Sequence, residues 1–247
     1  MRLDQYLVET GTFPSRSRAV AAIKSGHVKV SGIIVKKPAF KVSGNVEISA
    51  TDLHPYVSRG ALKLKYALEQ FDVSVDQRVC LDVGSSTGGF SEVLLESGAR
   101  RVYAVDVGRD QLHKNLRNES RIVSMEQTDA RNLQLGMFDP SPDLIVCDAS
   151  FISLSKVLLV PLSLVSVGSE LVTLVKPQFE VGRANVGKNG IVTEETAKLK
   201  ALADVKTWLG TVGWDVIDEC SSPITGGDGN EEYLVHAIKR PRRAFNE

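Results

Sequence analysis

Four short apolar runs govern what this chain can fold into: Val79-Cys-Leu-Asp82, Val102-Tyr-Ala-Val-Asp106, Leu144-Ile-Val-Cys-Asp148 and Leu171-Val-Thr-Leu-Val-Lys176. Each is apolar almost throughout and ends on a charged residue. Strands without polar alternation are buried on both faces, and helical stretches such as Phe90 to Ser97 and Lys156 to Val165 lie between them. Strand alternating with helix in this way predicts an α/β domain, a mainly parallel sheet with helices on both faces. The terminal charges then fall at the carboxyl edge of the sheet, where open α/β sheets bind their ligands. Trp214 to Cys220 and Tyr233 to Lys239 read as two further strands, joined by the glycine-rich loop from Ser222 to Asn230. A loop of that length predicts antiparallel pairing at one side of the sheet.

The first 50 residues follow a different pattern and predict a small α+β domain. Leu3, Tyr6 and Leu7 have helical spacing; Ser15 offers an N-cap to a second helix through Ala19, Val20 and Ile23, which Gly26 stops. Val28-Lys-Val30 and Ile33-Ile-Val35 flank Ser31-Gly32 as a hairpin, and Val42 to Ile48 supplies another short strand. Residues 51–57, with Pro55, read as a linker, and the α/β domain as 58–247. The whole chain carries 30 Lys+Arg and 30 Asp+Glu, but residues 1–57 hold eight of the former and four of the latter. A basic head on a slightly acidic body points to a polyanionic partner, with a solvated charged surface as the plain alternative.

With 43% hydrophobic and 24% charged residues the chain is neither disordered nor fibrous. Cys80, Cys147 and Cys220 are odd in number and form no C-x-x-C pair, so neither a disulfide framework nor a metal site is expected. No secretory leader is read in the first residues, and the longest apolar run, Val157 to Val167, is 11 residues and contains Pro161. That is too short to span a bilayer. A cytoplasmic protein without a membrane segment is expected.

Asp82-Val-Gly-Ser-Ser-Thr-Gly-Gly-Phe90 joins a strand to a helix through a glycine turn. Such turns let backbone approach a ligand at a helix N-terminus. Ser86 stands where a dinucleotide fingerprint has its second glycine, which counts against a nicotinamide enzyme. An acidic residue directly before the turn suits a cationic ligand better than a pyrophosphate. S-adenosylmethionine, with a sulfonium, an ammonium and a ribose diol, fits. Asp82, Gly84, Ser86 and Gly88 are the candidate turn contacts. Asp106, 24 residues after Asp82, can accept from the ribose hydroxyls, and Asp129 from the adenine amino group. A second constellation is Lys63, Asp148, Lys176 and Glu232. Asp148 and Lys176 both end apolar runs and should emerge beside the ligand crevice, where a lysine can act on a sugar hydroxyl.

The lysine-aspartate-lysine-glutamate quartet around D-x-G-x-x-x-G-G-F resembles the FtsJ-like RNA ribose methyltransferases. The head, through Arg2-Leu-Asp-Gln-Tyr-Leu7, Ser15-Arg-Ser-Arg-Ala19 and Gly26-His-Val-Lys-Val30, resembles the RNA-binding domain of ribosomal protein S four. With Ser58-Arg-Gly-Ala-Leu-Lys63, Val175-Lys-Pro-Gln-Phe-Glu180 and Gly229-Asn-Glu-Glu-Tyr233, the whole is similar to the TlyA family, also labelled haemolysins. The resemblance implies a Rossmann-like, seven-stranded methyltransferase that moves a methyl from S-adenosylmethionine to a cytidine 2'-oxygen in ribosomal RNA, the large subunit before the small. It implies that Lys176 acts on the hydroxyl, that Asp148 sets its charge and position, and that Lys63 and Glu232 complete the site. Arg2, Arg16, Arg18, Lys24 and Lys29 would hold RNA phosphates. A monomer working on ribosomal RNA or a ribosomal subunit is expected. The family's linker carries a basic residue and a tryptophan where this chain has His54-Pro-Tyr56-Val57. The loop Glu180 to Gly190 reads either as a flap over RNA or as a connector. The rival classes are a membrane-active haemolysin, for which no amphipathic or spanning segment is found, and an RNA-binding protein without catalysis.

Overall fold

A computed structural model describes residues 1–43, 46–51 and 54–241, apart from the side chain of Ala184. The chain forms two compact units, Met1–Pro55 and a second that begins at Tyr56.

In the first unit, α1 (Leu3–Glu9) and α2 (Arg16–Lys24) precede β1 (Val28–Val30), β2 (Ile33–Ile34) and β3 (Ile48–Ala50). The hydroxyl of Ser15 accepts the Arg18 N–H at 3.4 Å and caps α2 as expected. Ser31 and Gly32, both at positive φ, make the hairpin turn between β1 and β2. The third strand differs from expectation: it runs Ile48–Ala50 and pairs with β1, whereas Val42 is buried in the core and its N–H donates to Met1 O. Gly44 and Asn45, inside the expected strand, lie outside the described residues, as do Asp52 and Leu53 of the expected linker. Leu3, Leu7, Phe13, Ala19, Ala22, Ile23 and Val28 close a small core.

The second unit contains α3 (Gly60–Gln70), β4 (Val79–Val83), α4 (Gly89–Glu96), β5 (Arg101–Val105), α5 (Lys114–Arg117), β6 (Ile122–Met125) and β7 (Leu144–Cys147). It continues with α6 (Leu154–Val157), α7 (Leu159–Leu164), β8 (Glu170–Val175), α8 (Pro177–Glu180), α9 (Glu195–Thr211), β9 (Trp214–Ser221) and β10 (Tyr233–Lys239). The seven strands are ordered β6-β5-β4-β7-β8-β10-β9. Only β10 runs against the rest, being antiparallel to both β8 and β9. This is the predicted α/β architecture. Side chains alternate between two buried faces: Leu81, Ile145 and Cys147 join one core with Leu158 and Leu209, while Cys80, Leu144 and Val146 join the other with Leu64 and Leu94.

Three local readings change. The edge strand β6 carries no continuous apolar run and escaped sequence analysis, since one side of an edge strand is free of pairing. The single helix expected over Lys156–Val165 is two, α6 and α7. Pro161 has no N–H for the Val157 carbonyl and its ring excludes that carbonyl, so the first helix ends at Val157. Tyr56 and Val57, read as linker, belong to the second unit: Tyr56 is buried beside Ala61 and Leu64, and Val57 N–H donates to Glu92 Oε2 at 2.6 Å.

The strand order reverses between β4 and β7, which opens a crevice at their carboxyl ends. There Gly84 (φ +82) lies against backbone, where an added Cβ would meet Ala149 Cα at 3.0 Å. Gly88 (φ +94) is glycine because of the protein's own packing: a Cβ would stand 2.4 Å from Leu116 Cδ1 and 2.8 Å from Leu112 Cδ1. Gly88→Ala is therefore expected to cost ~3 kcal/mol through overpacking plus backbone strain, read as a lowered midpoint in urea denaturation.

Candidate active site and RNA-facing residues

A cavity of about 270 Å³ sits at this crevice, lined by Gly84, Ser85, Ser86 and Thr87 after β4, Asp148 and Ser150 after β7, Lys176 after β8, and Lys63 of α3. The strand ends place these groups. Asp148 N–H bonds to Val83 O at 3.2 Å, and Pro177 at the first position of α8 turns the chain directly after Lys176.

The quartet comes together as two ion pairs. Lys176 Nζ donates to Asp148 O at 3.2 Å and to Ser150 Oγ at 2.7 Å, and forms an ion pair with Asp148 Oδ1 at 2.7 Å. Lys63 Nζ meets Glu232 Oε2 at 2.5 Å, with both side chains buried. Gly226 makes room for that carboxylate, since a Cβ there would stand 2.5 Å from Glu232 Oε1. Each lysine thus has its own counter-ion. Buried charges of this kind persist because removing either partner strands the other.

Asp82 is completely buried. Its Oδ2 accepts from Ser91 Oγ at 2.7 Å, and Oδ1 has no hydrogen-bond partner among the described residues. Burial pushes this carboxyl up to about 7, the Ser91 hydroxyl opposing the rise. Ser86 occupies a left-handed φ of +48 and donates its N–H to Asp106 Oδ2 at 2.8 Å. The other Asp106 oxygen accepts from Gly108 N–H at 2.7 Å. Asp106 and Asp129 do not line the 270 Å³ cavity. Asp129 caps the short turn Ala130–Asn132 and pairs with Arg131, Nη2 to Oδ2 being 2.6 Å, which holds its carboxyl below the usual range.

Several neighbours were not singled out from sequence. Ser150 and Phe151 follow Asp148 directly, and the strand-end rule that found Asp148 covers them equally. Phe151 is held at φ +65, is 90% exposed and tilts against Phe179 at 5.2 Å. These rings line a groove of about 530 Å³ with Arg131, Lys156 and Arg183. The loop Glu180–Gly190 contains two short helical turns, and Asn230 holds its end: Asn230 Oδ1 accepts Val192 N–H at 3.0 Å and Nδ2 donates to Gly190 O at 2.9 Å.

In the first unit, Arg2 and Arg16 converge on one buried carboxylate. Arg2 Nε lies 2.9 Å from Asp4 Oδ1, and Arg16 Nε lies 2.8 Å from Asp4 Oδ2. Arg18 donates to His54 O at 2.7 Å. Lys24 in the last turn of α2 and Lys29 on the outer face of β1 are exposed. The first two form a fork that Asp4 fixes. Among charged groups of the head, sequence reading passed over this carboxylate because nothing in the local pattern marks it as buried.

A parallel sheet with a strand reversal at its centre, a glycine turn above a buried carboxylate, and a paired-lysine cleft define a Rossmann-like transferase. The chain belongs to the FtsJ-like methyltransferase family, whose model matches residues 56–239, and it carries an S4 domain over residues 1–48. It is 41% identical over 247 residues to the Mycobacterium tuberculosis 16S/23S rRNA (cytidine-2'-O)-methyltransferase TlyA, covering 99% of this chain and 92% of that protein. It is 36% identical to the Campylobacter jejuni 23S rRNA (cytidine-2'-O)-methyltransferase TlyA, covering 97% of this chain and all of that one. A solved structure from Streptococcus thermophilus bearing the name hemolysin aligns at TM-score 0.79 and 39% identity, over 97% of this chain and 88% of its own. Among the described residues no helix is long and apolar enough to cross a membrane.

Hydrogen bonding from Arg2 above all, and then from Arg16, holds the Asp4 carboxyl down to about 2 from an ordinary 3.8, against the opposing effect of burial. Its contribution to folding is therefore complete above pH 4 and is lost as pH falls towards 2. Asp4→Asn is expected to lower the melting temperature at pH 7 and to flatten the acid limb between pH 4 and 2, followed by circular dichroism.

Proposed function

We propose that this protein is an S-adenosylmethionine-dependent ribose 2'-O-methyltransferase acting on a cytidine of ribosomal RNA in the cytoplasm. The observation that carries the reading is the cleft in which Lys176–Asp148 and Lys63–Glu232 stand over the glycine turn. The TlyA relatives named for the same reaction support it, and one of them, named for 23S RNA, makes the large subunit the first substrate to offer.

The residues fit the cofactor. Asp82 Oδ1 is a buried acceptor with no partner among the described residues, and a cation beside it would keep the carboxyl ionised despite its burial. Asp106 stands after β5, where a carboxylate can receive ribose hydroxyls, and Val107 beside it is 71% exposed and apolar, suited to the adenine face. Gly84, Ser86 and Gly88 shape the turn, and Asp129 lies at the adenine side. S-adenosylmethionine supplies an electrophilic methyl on a sulfonium.

The chain's own residues then do the following. Lys176 holds the ribose 2'-oxygen in line with the methyl, and as the bond forms the hydroxyl proton passes to the Asp148 carboxylate through Lys176, which gives Asp148 one proton and takes another from the hydroxyl. Lys63, fixed by Glu232, adds positive charge where the oxygen is most electron-rich. Most of the acceleration comes from this alignment. Phe151 and Phe179 offer a flat apolar surface on which a base beside the target ribose can stack, and Arg131, Lys156 and Arg183 suit the flanking phosphates. Arg2, Arg16, Arg18, Lys24 and Lys29 grip RNA phosphates.

Labelled S-adenosylmethionine offered with separate ribosomal subunits tests the reading. Label is expected in alkali-resistant dinucleotides of the large subunit. Lys176→Ala should lower transfer by at least ~100-fold while cofactor binding by calorimetry persists. Cofactor binding with no label on either subunit would leave a binding role on RNA, and no cofactor binding would overturn the proposal. Reversing charge at Arg16 should weaken RNA binding and reduce its salt dependence by about one counterion in the slope.

A further inference from the structure

The seven residues between Asp106 and α5 form a loop without regular structure, and it borders the carboxylate assigned to the cofactor ribose. A segment of this kind has few hydrogen bonds of its own, so its shape depends on what grips it. Several contacts grip it. Asp106 Oδ1 accepts Gly108 N–H at its start, and His113 N–H donates to Thr87 O, in the glycine turn, at its end.

The most extensive grip is Glu126, directly after β6. Its carboxylate accepts three successive backbone N–H groups: Asp110 N to Oε2 at 2.9 Å, Gln111 N to Oε1 at 2.6 Å and Leu112 N to Oε1 at 2.8 Å. Asp110 sits at φ +54, a left-handed position that turns these N–H groups towards one point. A concave row of amides is an anion site, and here the anion is the protein's own side chain. On the other side of the loop, Arg117 Nε donates to Leu112 O at 2.6 Å. The same two oxygens of Asp106 bind Gly108 and Ser86, so the loop and the glycine turn share one carboxylate.

We infer that Glu126 is a positioning residue for the cofactor: it never touches the ligand, and it sets the place of Asp106 and Val107 by clamping the backbone of residues 110–112. The inference rests on the placement of S-adenosylmethionine proposed above. The bonds themselves lower the Glu126 carboxyl below its ordinary range, so the clamp is charged throughout the neutral range. Glutamine has the same length, but its amide nitrogen would face N–H donors instead of accepting from them. Aspartate keeps the charge and falls one methylene short.

Glu126→Gln is expected to raise the dissociation constant for S-adenosylhomocysteine about 10-fold by calorimetry. It should raise KM for S-adenosylmethionine in proportion, while kcat at saturating cofactor and KM for RNA are held. Glu126→Asp should recover part of the loss. A merely structural residue would instead lower kcat through a smaller active fraction and leave both KM values alone. A readout that needs no variant is hydrogen exchange in the wild type: amides 110–112 should gain protection when S-adenosylhomocysteine is added. Unchanged affinity in Glu126→Gln, or exchange at 110–112 indifferent to the ligand, would overturn the inference. Failure of the wild type to bind S-adenosylhomocysteine would overturn the cofactor placement instead.

Discussion

A lysine can be withdrawn from water only together with something that answers its charge, and two lysines are withdrawn here. Lys63 and Lys176 are buried in one cleft because Glu232 and Asp148 go with them. Such pairs contribute little net stability compared with apolar side chains of the same size. Their value is geometric: four charged groups are held where none could stand alone. The fold around them is arranged to bring those partners together. Asp148 and Lys176 come from adjacent parallel strands, whereas Lys63 and Glu232 are 169 residues apart and meet only because the reversed strand β10 runs beside β8.

That reversed strand makes the turn before it a junction. Asn230 binds the end of the loop Glu180–Gly190, Glu231 lies 2.5 Å from Lys198 of α9, and Glu232 reaches Lys63. Three successive side chains thereby tie the loop Glu180–Gly190, a long helix and the cleft of the two lysines to one backbone segment. Lys198 also meets Glu195 at 2.9 Å, and the two carboxylates, Glu231 foremost, raise its ammonium above the usual lysine range.

The glycine turn follows the same economy of shared contacts. Asp82 ties it to α4 through Ser91, and Asp106 ties it to the next loop through Ser86 and Gly108. Ser86 itself holds a left-handed backbone at φ +48 within the turn. In the head, Asp4 plays the part that the carboxylates play in the cleft: it is buried and pairs with the two more exposed guanidinium groups of Arg2 and Arg16.

By itself the sequence determined the strands β4, β5, β7 and β8, because a run apolar on both faces has no stable place except inside a sheet. It also determined that Asp82, Asp106, Asp148 and Lys176 stand at one edge, because residues that end parallel strands share an edge by construction. Lys63 and Glu232 were named beside Asp148 and Lys176, but taken singly nothing in their neighbourhoods separates them from exposed charges, and only the resemblance gave them a place in the site. Tertiary structure alone decided which carboxylate each lysine meets, that Tyr56 and Val57 pack within the second unit, and that Asp4 and Glu126 serve as clamps. Those depend on where backbone amides and distant side chains converge in space, and convergence of that kind leaves no periodic trace along the chain.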